Sequence, residues 1–288
     1  MEVQKQWLFA ASADESICQS LSRETGLHLL VASILYRRGY CTPDEVEIFL
    51  QPELRQLRDP FLLRHMQEAV KLVLPFLREN RSILILGDYD VDGITSTALL
   101  LNFLRDAGCS QLDYFIPQRL QHGYGLTPAS VDVILSRQPD LVITVDNGIT
   151  ARKEVQQLQN EGVCVLITDH HIAISDSLPE TVTVNPNHPA CSYPFKKISG
   201  CGVAFKLVMA LRKALRDVAW WNERRPEPNL KQLLDFAALG TVADVVDLRD
   251  ENRLFVHAGL QLMNNQPRPA IQALKQVKKV DGEITATT

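Results

Sequence analysis

Three carboxylates at alternate positions behind a short apolar run constrain this chain more than any other feature. Ile83-Leu84-Ile85-Leu86 leads into Gly87-Asp88-Tyr89-Asp90-Val91-Asp92-Gly93, and Ile94-Thr95-Ser96-Thr97 follows. The run is short and rich in Ile and Leu, so it reads as a buried strand. The stretch from Thr95 to Ala107 reads as a helix. The acidic triplet then sits where a strand hands over to a helix, which is the usual ligand position in an open α/β sheet. Carboxylates crowded this closely repel one another unless a cation neutralises them. Oxygen ligands of this kind suit Mg²⁺ or Mn²⁺. A solvated acidic loop is the alternative.

From residue 81 onward, strands and helices alternate. Strands are predicted at Ser82–Gly87, Leu112–Ile116, Leu141–Val145, Val163–Thr168 and Thr181–Val184, with helices over Pro128–Ser136 and Ala151–Glu161. Strands about 20 residues apart with a helix between them imply crossovers and a mainly parallel sheet. The expected fold is α/β: a mainly parallel five-stranded sheet flanked by helices, with an N-terminal helical extension and a C-terminal helical segment. Residues 1–60 form that extension, with a helix running up to Arg37 and a second opened by Thr42-Pro43-Asp44-Glu45 as cap, first position and acidic first turn. Residues 61–265 form the main domain. Its first helix, about Leu62 to Leu74, should kink or end at Pro75. A long helix is expected from Val203 to Trp221, and another that stops at Gly240. Residues 266–288 read as the start of a linker, in a chain cut within a longer protein.

With 288 residues, 45% apolar and 22% charged, the chain has the composition of a globular protein. No apolar run reaches membrane-spanning length, no signal-peptide layout opens the chain, and the expected location is the cytoplasm. The six cysteines form no C-x-x-C pair, which favours buried reduced thiols over zinc. A net charge of −4 excludes a broadly basic nucleic-acid binder. It does not exclude a phosphate-rich substrate, because bound divalent cations reverse the local sign. The basic run Lys196, Lys197, Lys206, Arg212, Lys213, Arg216, Arg224 and Arg225 could support a strand backbone, or else is a solvated helix face.

Two further strand ends carry ligand chemistry. Val145 is followed by Asp146-Asn147-Gly148, and Thr168 by Asp169-His170-His171. In a parallel sheet all strand C-termini open on one edge, so Asp90, Asp92, Asp146, Asp169, His170 and His171 can converge. Asp and neutral His together suit Mn²⁺ and allow two adjacent ions. Taken singly, Asp146 could be a helix cap and the histidines turn residues. Asp244, among Val242, Ala243, Val245 and Val246, is either a buried ligand or a cap on the next helix.

Asp88-Tyr89-Asp90-Val91-Asp92-Gly93, Val145-Asp146-Asn147-Gly148, Asp169-His170-His171 and Gly240-Thr241-Val242-Ala243-Asp244-Val245-Val246 resemble, in order, the four motifs of the DHH phosphoesterase superfamily. Arg119-Leu120-Gln121-His122-Gly123-Tyr124-Gly125-Leu126 and Gly200-Cys201-Gly202-Val203-Ala204-Phe205 also resemble its exonuclease branch. The resemblance covers about residues 25–280. It implies metal binding by Asp90, Asp92, Asp146, His170 and Asp244, with Asp88 an extra ligand or a neighbour of one. It implies that His171, beside Asp169, touches the substrate phosphate or attacking water, and that Arg119 holds a 5′-terminal phosphate. Leu86 stands where the family often has a histidine. The implied cofactors are two Mn²⁺ or Mg²⁺ ions. The implied activity is 5′-to-3′ hydrolysis of single-stranded DNA to mononucleotides in repair and recombination, with a single-strand-binding protein and a helicase as partners. The rival readings are a phosphatase of short oligonucleotides or cyclic dinucleotides, and a non-catalytic scaffold.

Overall fold

The structure, a computed structural model, describes residues 14–172 and 178–287. Two units cluster separately, Met1–Glu53 and Leu54–Thr288. The first holds α1 (Glu15–Thr25), α2 (Leu29–Arg37) and α3 (Pro43–Leu50) around Leu21, Ala32, Leu35, Tyr40 and Val46. Thr42 and Glu45 cap α3 reciprocally: Glu45 N–H donates to Thr42 Oγ1 at 3.3 Å, and Thr42 N–H to Glu45 Oε2 at 3.1 Å. Sequence periodicity misses α1, because only Ile17, Cys18 and Leu21 interrupt a polar run.

In the second unit, α4 (Met66–Arg78) buries Met66, Ala69, Val70, Val73, Phe76 and Leu77. Pro75 lies inside this helix and does not end it. Phe76 and Leu77 beyond it are 4% and 3% exposed, and their burial holds the last turn in place. The strands are β1 (Ile83–Leu86), β2 (Leu112–Phe115), β3 (Leu141–Val145), β4 (Cys164–Thr168) and β5 (Val182–Val184), in the order β2-β1-β3-β4-β5 with every neighbouring pair parallel. Ile83 and Ile85 face one apolar core, Leu84 and Leu86 the other. That alternation explains why a four-residue strand can be apolar throughout: helices cover both faces of the sheet.

The remaining helices are α5 (Val91–Asp106), α6 (Arg119–His122), α7 (Pro128–Arg137), α8 (Arg152–Asn160), α9 (Gly200–Asp217), α10 (Leu234–Ala243), α11 (Asp250–Asn265) and α12 (Pro269–Lys278). The chain leaves β1 for β2 on one side and returns to β3 on the other. Ligands bind at such a reversal, beyond the strand C-termini. Of the boundaries that differ from the sequence reading, three matter there. Helix α5 starts at Val91, so Asp90 is its cap and Asp92 lies in its first turn. Helix α9 starts at Gly200 and ends at Asp217. Helix α10 runs through Gly240 to Ala243, which leaves Asp244 as its C-cap. Gly240 is a point of close approach: a Cβ there would lie 2.3 Å from Asp92 Oδ1 and 2.8 Å from Cys201 Cβ. The glycine lets α10 cross α5 and α9 at contact distance.

Candidate metal centre

Each acidic residue is aimed by the element that carries it. Asp90 caps α5 by accepting from Gly93 N–H at 2.9 Å. Asp92, one residue pair further on, is 1% exposed and faces the start of α9, where Gly200 N–H reaches Oδ2 at 2.7 Å and Cys201 N–H reaches Oδ1 at 2.9 Å. A helix N-terminus favours negative charge. Asp146 follows β3 with φ 63, a left-handed conformation that Asp tolerates better than most residues. His170 follows β4. Its Nε2 lies 3.1 Å from Asp146 Oδ1, 3.6 Å from Asp244 Oδ2 and 3.9 Å from Asp92 Oδ2.

These side chains form three overlapping donor groups, within each of which the ligand atoms lie within 4.8 Å of one another: Asp146, His170 and His171; Asp92, His170 and Asp244; Asp88, Asp90 and Asp146. His170 and Asp146 are each shared by two groups, the arrangement that two neighbouring ions require. Three atoms of the set, Asp88 Oδ2, Asp146 Oδ1 and His170 Nε2, are buried without a hydrogen-bond partner. The 3.1 Å approach of His170 Nε2 to Asp146 Oδ1 lacks hydrogen-bond geometry. Buried polar atoms are almost always satisfied, so three orphans spread over these linked donor groups fit divalent cations. Leu86 is buried in the sheet's second core.

The electrostatics agree. Burial, then repulsion from Asp146, pushes Asp92 up to about 8. Burial, then Asp90 and Asp169, pushes Asp146 up to about 9. Asp88 rises to about 6, mainly through burial, and Asp244 is raised for the same reason. Asp169 goes the other way. Burial alone would raise it, but the bond to His171 and the N–H groups of Ile149 and His171 outweigh that and hold it low. Its oxygens also accept from His170 N–H at 2.7 Å. Asp169 is thus fully engaged inside the protein, and its firmest side-chain partner is His171 Nδ1 at 2.7 Å. That bond raises the affinity of His171 for a proton. His171 Nε2 points the other way, to Tyr124 Oη at 3.1 Å.

Arg119 opens α6, with its guanidinium carbon 5.7 Å from the centre of the Tyr89 ring. Tyr89 lies between Asp88 and Asp90, so Arg119 stands beside the acidic cluster. The basic run is largely consumed elsewhere. Lys206 is fully buried against Glu251. Lys196 donates to the carbonyls of Pro186 and Cys191. Lys197 pairs with Asp247, Arg212 and Arg216 with Glu227, and Lys213 with Asp217. Arg225 lies on the ring of Trp220. The sequence reading missed Tyr124 as a partner of His171 and the α9 N-terminus as the seat of Asp92. Neither leaves a local signal, since the partners are 47 and 108 residues apart.

Residues 82–241 match the DHH family, N-terminal domain. The single-stranded-DNA-specific exonuclease RecJ of Escherichia coli (strain K12) is 42% identical over 229 residues, covering 78% of this chain and 40% of that protein. RecJ of Bacillus subtilis (strain 168) is 38% identical over 272 residues, covering 94% of this chain and 32% of that protein. The chain thus spans about two fifths or less of the length of these relatives. A crystal structure of exonuclease RecJ bound to manganese superposes with a TM-score of 0.67 at 34% identity, covering 81% of this chain and 55% of that one. Among the described residues, no helix is long and apolar enough to cross a membrane.

Proposed function

Because the chain belongs to the DHH family, we propose that it carries the catalytic core of a divalent-metal-dependent exonuclease that hydrolyses single-stranded DNA from a 5′ end. The observation that carries this is that Asp88 Oδ2, Asp146 Oδ1 and His170 Nε2 are buried and unpartnered within donor groups linked through Asp146 and His170. Asp90, Asp92, Asp146, His170, Asp244 and Asp88 would hold two Mn²⁺ or Mg²⁺ ions. When bound, such ions neutralise the carboxylates, acidify water and stabilise charge on phosphate oxygens.

The protein's own groups have separable tasks. Asp169 accepts from His171 Nδ1 and thereby presents Nε2 to the substrate side, where the protonated ring can donate to a phosphate oxygen. Asp169 acts through His171 and does not touch substrate. The α9 N-terminus keeps Asp92 in place through two backbone N–H groups. Arg119 offers a planar fork suited to a terminal phosphate. Under this reading the partners are single-stranded DNA with a 5′ end, and the single-strand-binding protein and helicase that expose it, in the cytoplasm.

The test is hydrolysis of 5′-labelled single-stranded DNA with Mn²⁺, with EDTA, and by an Asp92→Asn variant with Mn²⁺. Activity is expected only in the first case, and equal activity in all three would refute the metal-dependent reading.

A further inference from the structure

We propose that Tyr124 is a positioning residue that makes the availability of His171 depend on whether Arg119 holds a phosphate. The inference rests on the reading of Arg119 as the phosphate holder and adds a coupling to it.

The two ends of one short segment carry the argument. Arg119 opens α6, and Tyr124 follows that helix after Gly123. Gly123 has φ 80 and ψ −154, a region essentially reserved for glycine. Contacts run without a break from one end to the other. The Arg119 guanidinium carbon is 5.7 Å from the Tyr89 ring centre. Tyr89 and Tyr124 meet edge to face at 6.1 Å, and Tyr124 meets the His171 ring at 5.9 Å. The Tyr124 hydroxyl ends this row 3.1 Å from His171 Nε2 and 3.4 Å from the Asp146 carbonyl oxygen.

Asp169, an acceptor only when ionised, fixes the His171 proton on Nδ1. In the protonated ring Nε2–H donates to Tyr124 Oη, whose own hydrogen goes to the Asp146 carbonyl oxygen. Nε2 is also the nitrogen left to serve a substrate, so Tyr124 and the scissile phosphate compete for one position. A phosphate on Arg119 draws the guanidinium towards its oxygens and away from the Tyr89 face. The segment carrying both residues follows, and the hydroxyl leaves Nε2. A strand ending in a 5′-hydroxyl exerts no such pull, and Tyr124 stays where it is. The 5′-phosphate thereby acts on turnover as well as on affinity.

The Mg²⁺-loaded chain is titrated with a short thymidine oligomer of phosphorothioate linkages bearing either a 5′-phosphate or a 5′-hydroxyl, and the ¹⁵N resonances of His171 are followed. In the unsubstituted chain the phosphorylated oligomer is expected to shift the Nε2 signal and the hydroxyl oligomer to leave it in place. In Tyr124→Phe, which keeps the ring and its packing, the signal should no longer distinguish the two ends, while tighter binding of the phosphorylated oligomer persists. Where cleavage is measured, the kcat ratio between the two ends should fall to about one in Tyr124→Phe with the KM ratio retained. An end-dependent Nε2 shift that survives in Tyr124→Phe overturns the coupling. If the unsubstituted chain binds both oligomers equally, the reading of Arg119 falls first, and the coupling with it. Arg119→Ala separates the two by abolishing the affinity preference itself.

Discussion

Replacing Gly240 by alanine sets two effects of opposite sign against each other. In an exposed helix interior the change stabilises by about 1 kcal/mol, because alanine has the better helix propensity. Here the new methyl would lie 2.3 Å from Asp92 Oδ1, 2.7 Å from Thr95 Oγ1 and 2.8 Å from Cys201 Cβ. Non-bonded contacts settle near 3.5 Å, so α10 must retreat by roughly 1 Å. The neighbours cannot yield instead. Asp92 is held by Gly200 and Cys201 N–H, and Thr95 Oγ1 donates to the carbonyl of Val91 at 2.8 Å. Overpacking of this kind costs about 1–3 kcal/mol. Contacts as short as 2.3 Å place the cost in the upper part of that range, about 2–3 kcal/mol, so sterics should win, with a net loss of about 1–2 kcal/mol and a drop in Tm of roughly 2–8 °C. Asp244 caps the same helix, so it moves away from His170 as α10 retreats. Mn²⁺ affinity should therefore fall about tenfold or more, as when outer support of a ligand is lost. Thermal unfolding in EDTA and calorimetric titration with Mn²⁺ measure the two losses. Gly282→Ala is the control, because nothing lies within 4 Å of a Cβ there. A Gly240→Ala protein at least as stable as the parent, with unchanged Mn²⁺ affinity, would refute the close-approach argument.

Asp92 and Asp146, at about 8 and about 9, titrate in the folded metal-free chain well above the ordinary unfolded value of about 3.9. Their contribution to stability is present at acid pH and is lost as pH rises through 8 to 9. The gain in Tm on adding Mn²⁺ should accordingly grow from pH 6.5 to 9, and binding at pH 7 should release roughly two protons, measured by calorimetry in buffers of different ionisation enthalpy. A flat Tm gain without proton release would contradict this. Asp169→Asn should leave Mn²⁺ affinity largely intact while lowering kcat by about 10²–10⁴, since an amide no longer holds the His171 proton on Nδ1. Unchanged turnover would remove Asp169 from its role. Lys206→Met leaves buried Glu251 with only the more distant Arg58 guanidinium, at 3.8 Å, as a cation and should cost about 3–5 kcal/mol in denaturant unfolding. A loss under about 1 kcal/mol would mean that Tyr193 and the Arg58 N–H suffice to hold that carboxylate.

Much of this protein is written locally. The apolar runs at β1, β3 and β4 end in Asp or His within a few residues, and a parallel sheet sends all such ends to one edge. Strand period, turn chemistry and caps such as Thr42 with Glu45 depend on neighbours in the chain, so they survive in a string of letters. What only the tertiary structure decided involves residues remote in sequence. Gly240 reads as a helix stop until α10 is seen crossing Asp92. Lys206 reads as a surface cation until Glu251 closes over it. Asp88 acquires a neighbour in Asp146, and Tyr124 meets His171 across 47 residues. Close packing sets these contacts to within tenths of an ångström. Periodicity decides which face a side chain takes, and packing decides which atoms it then meets.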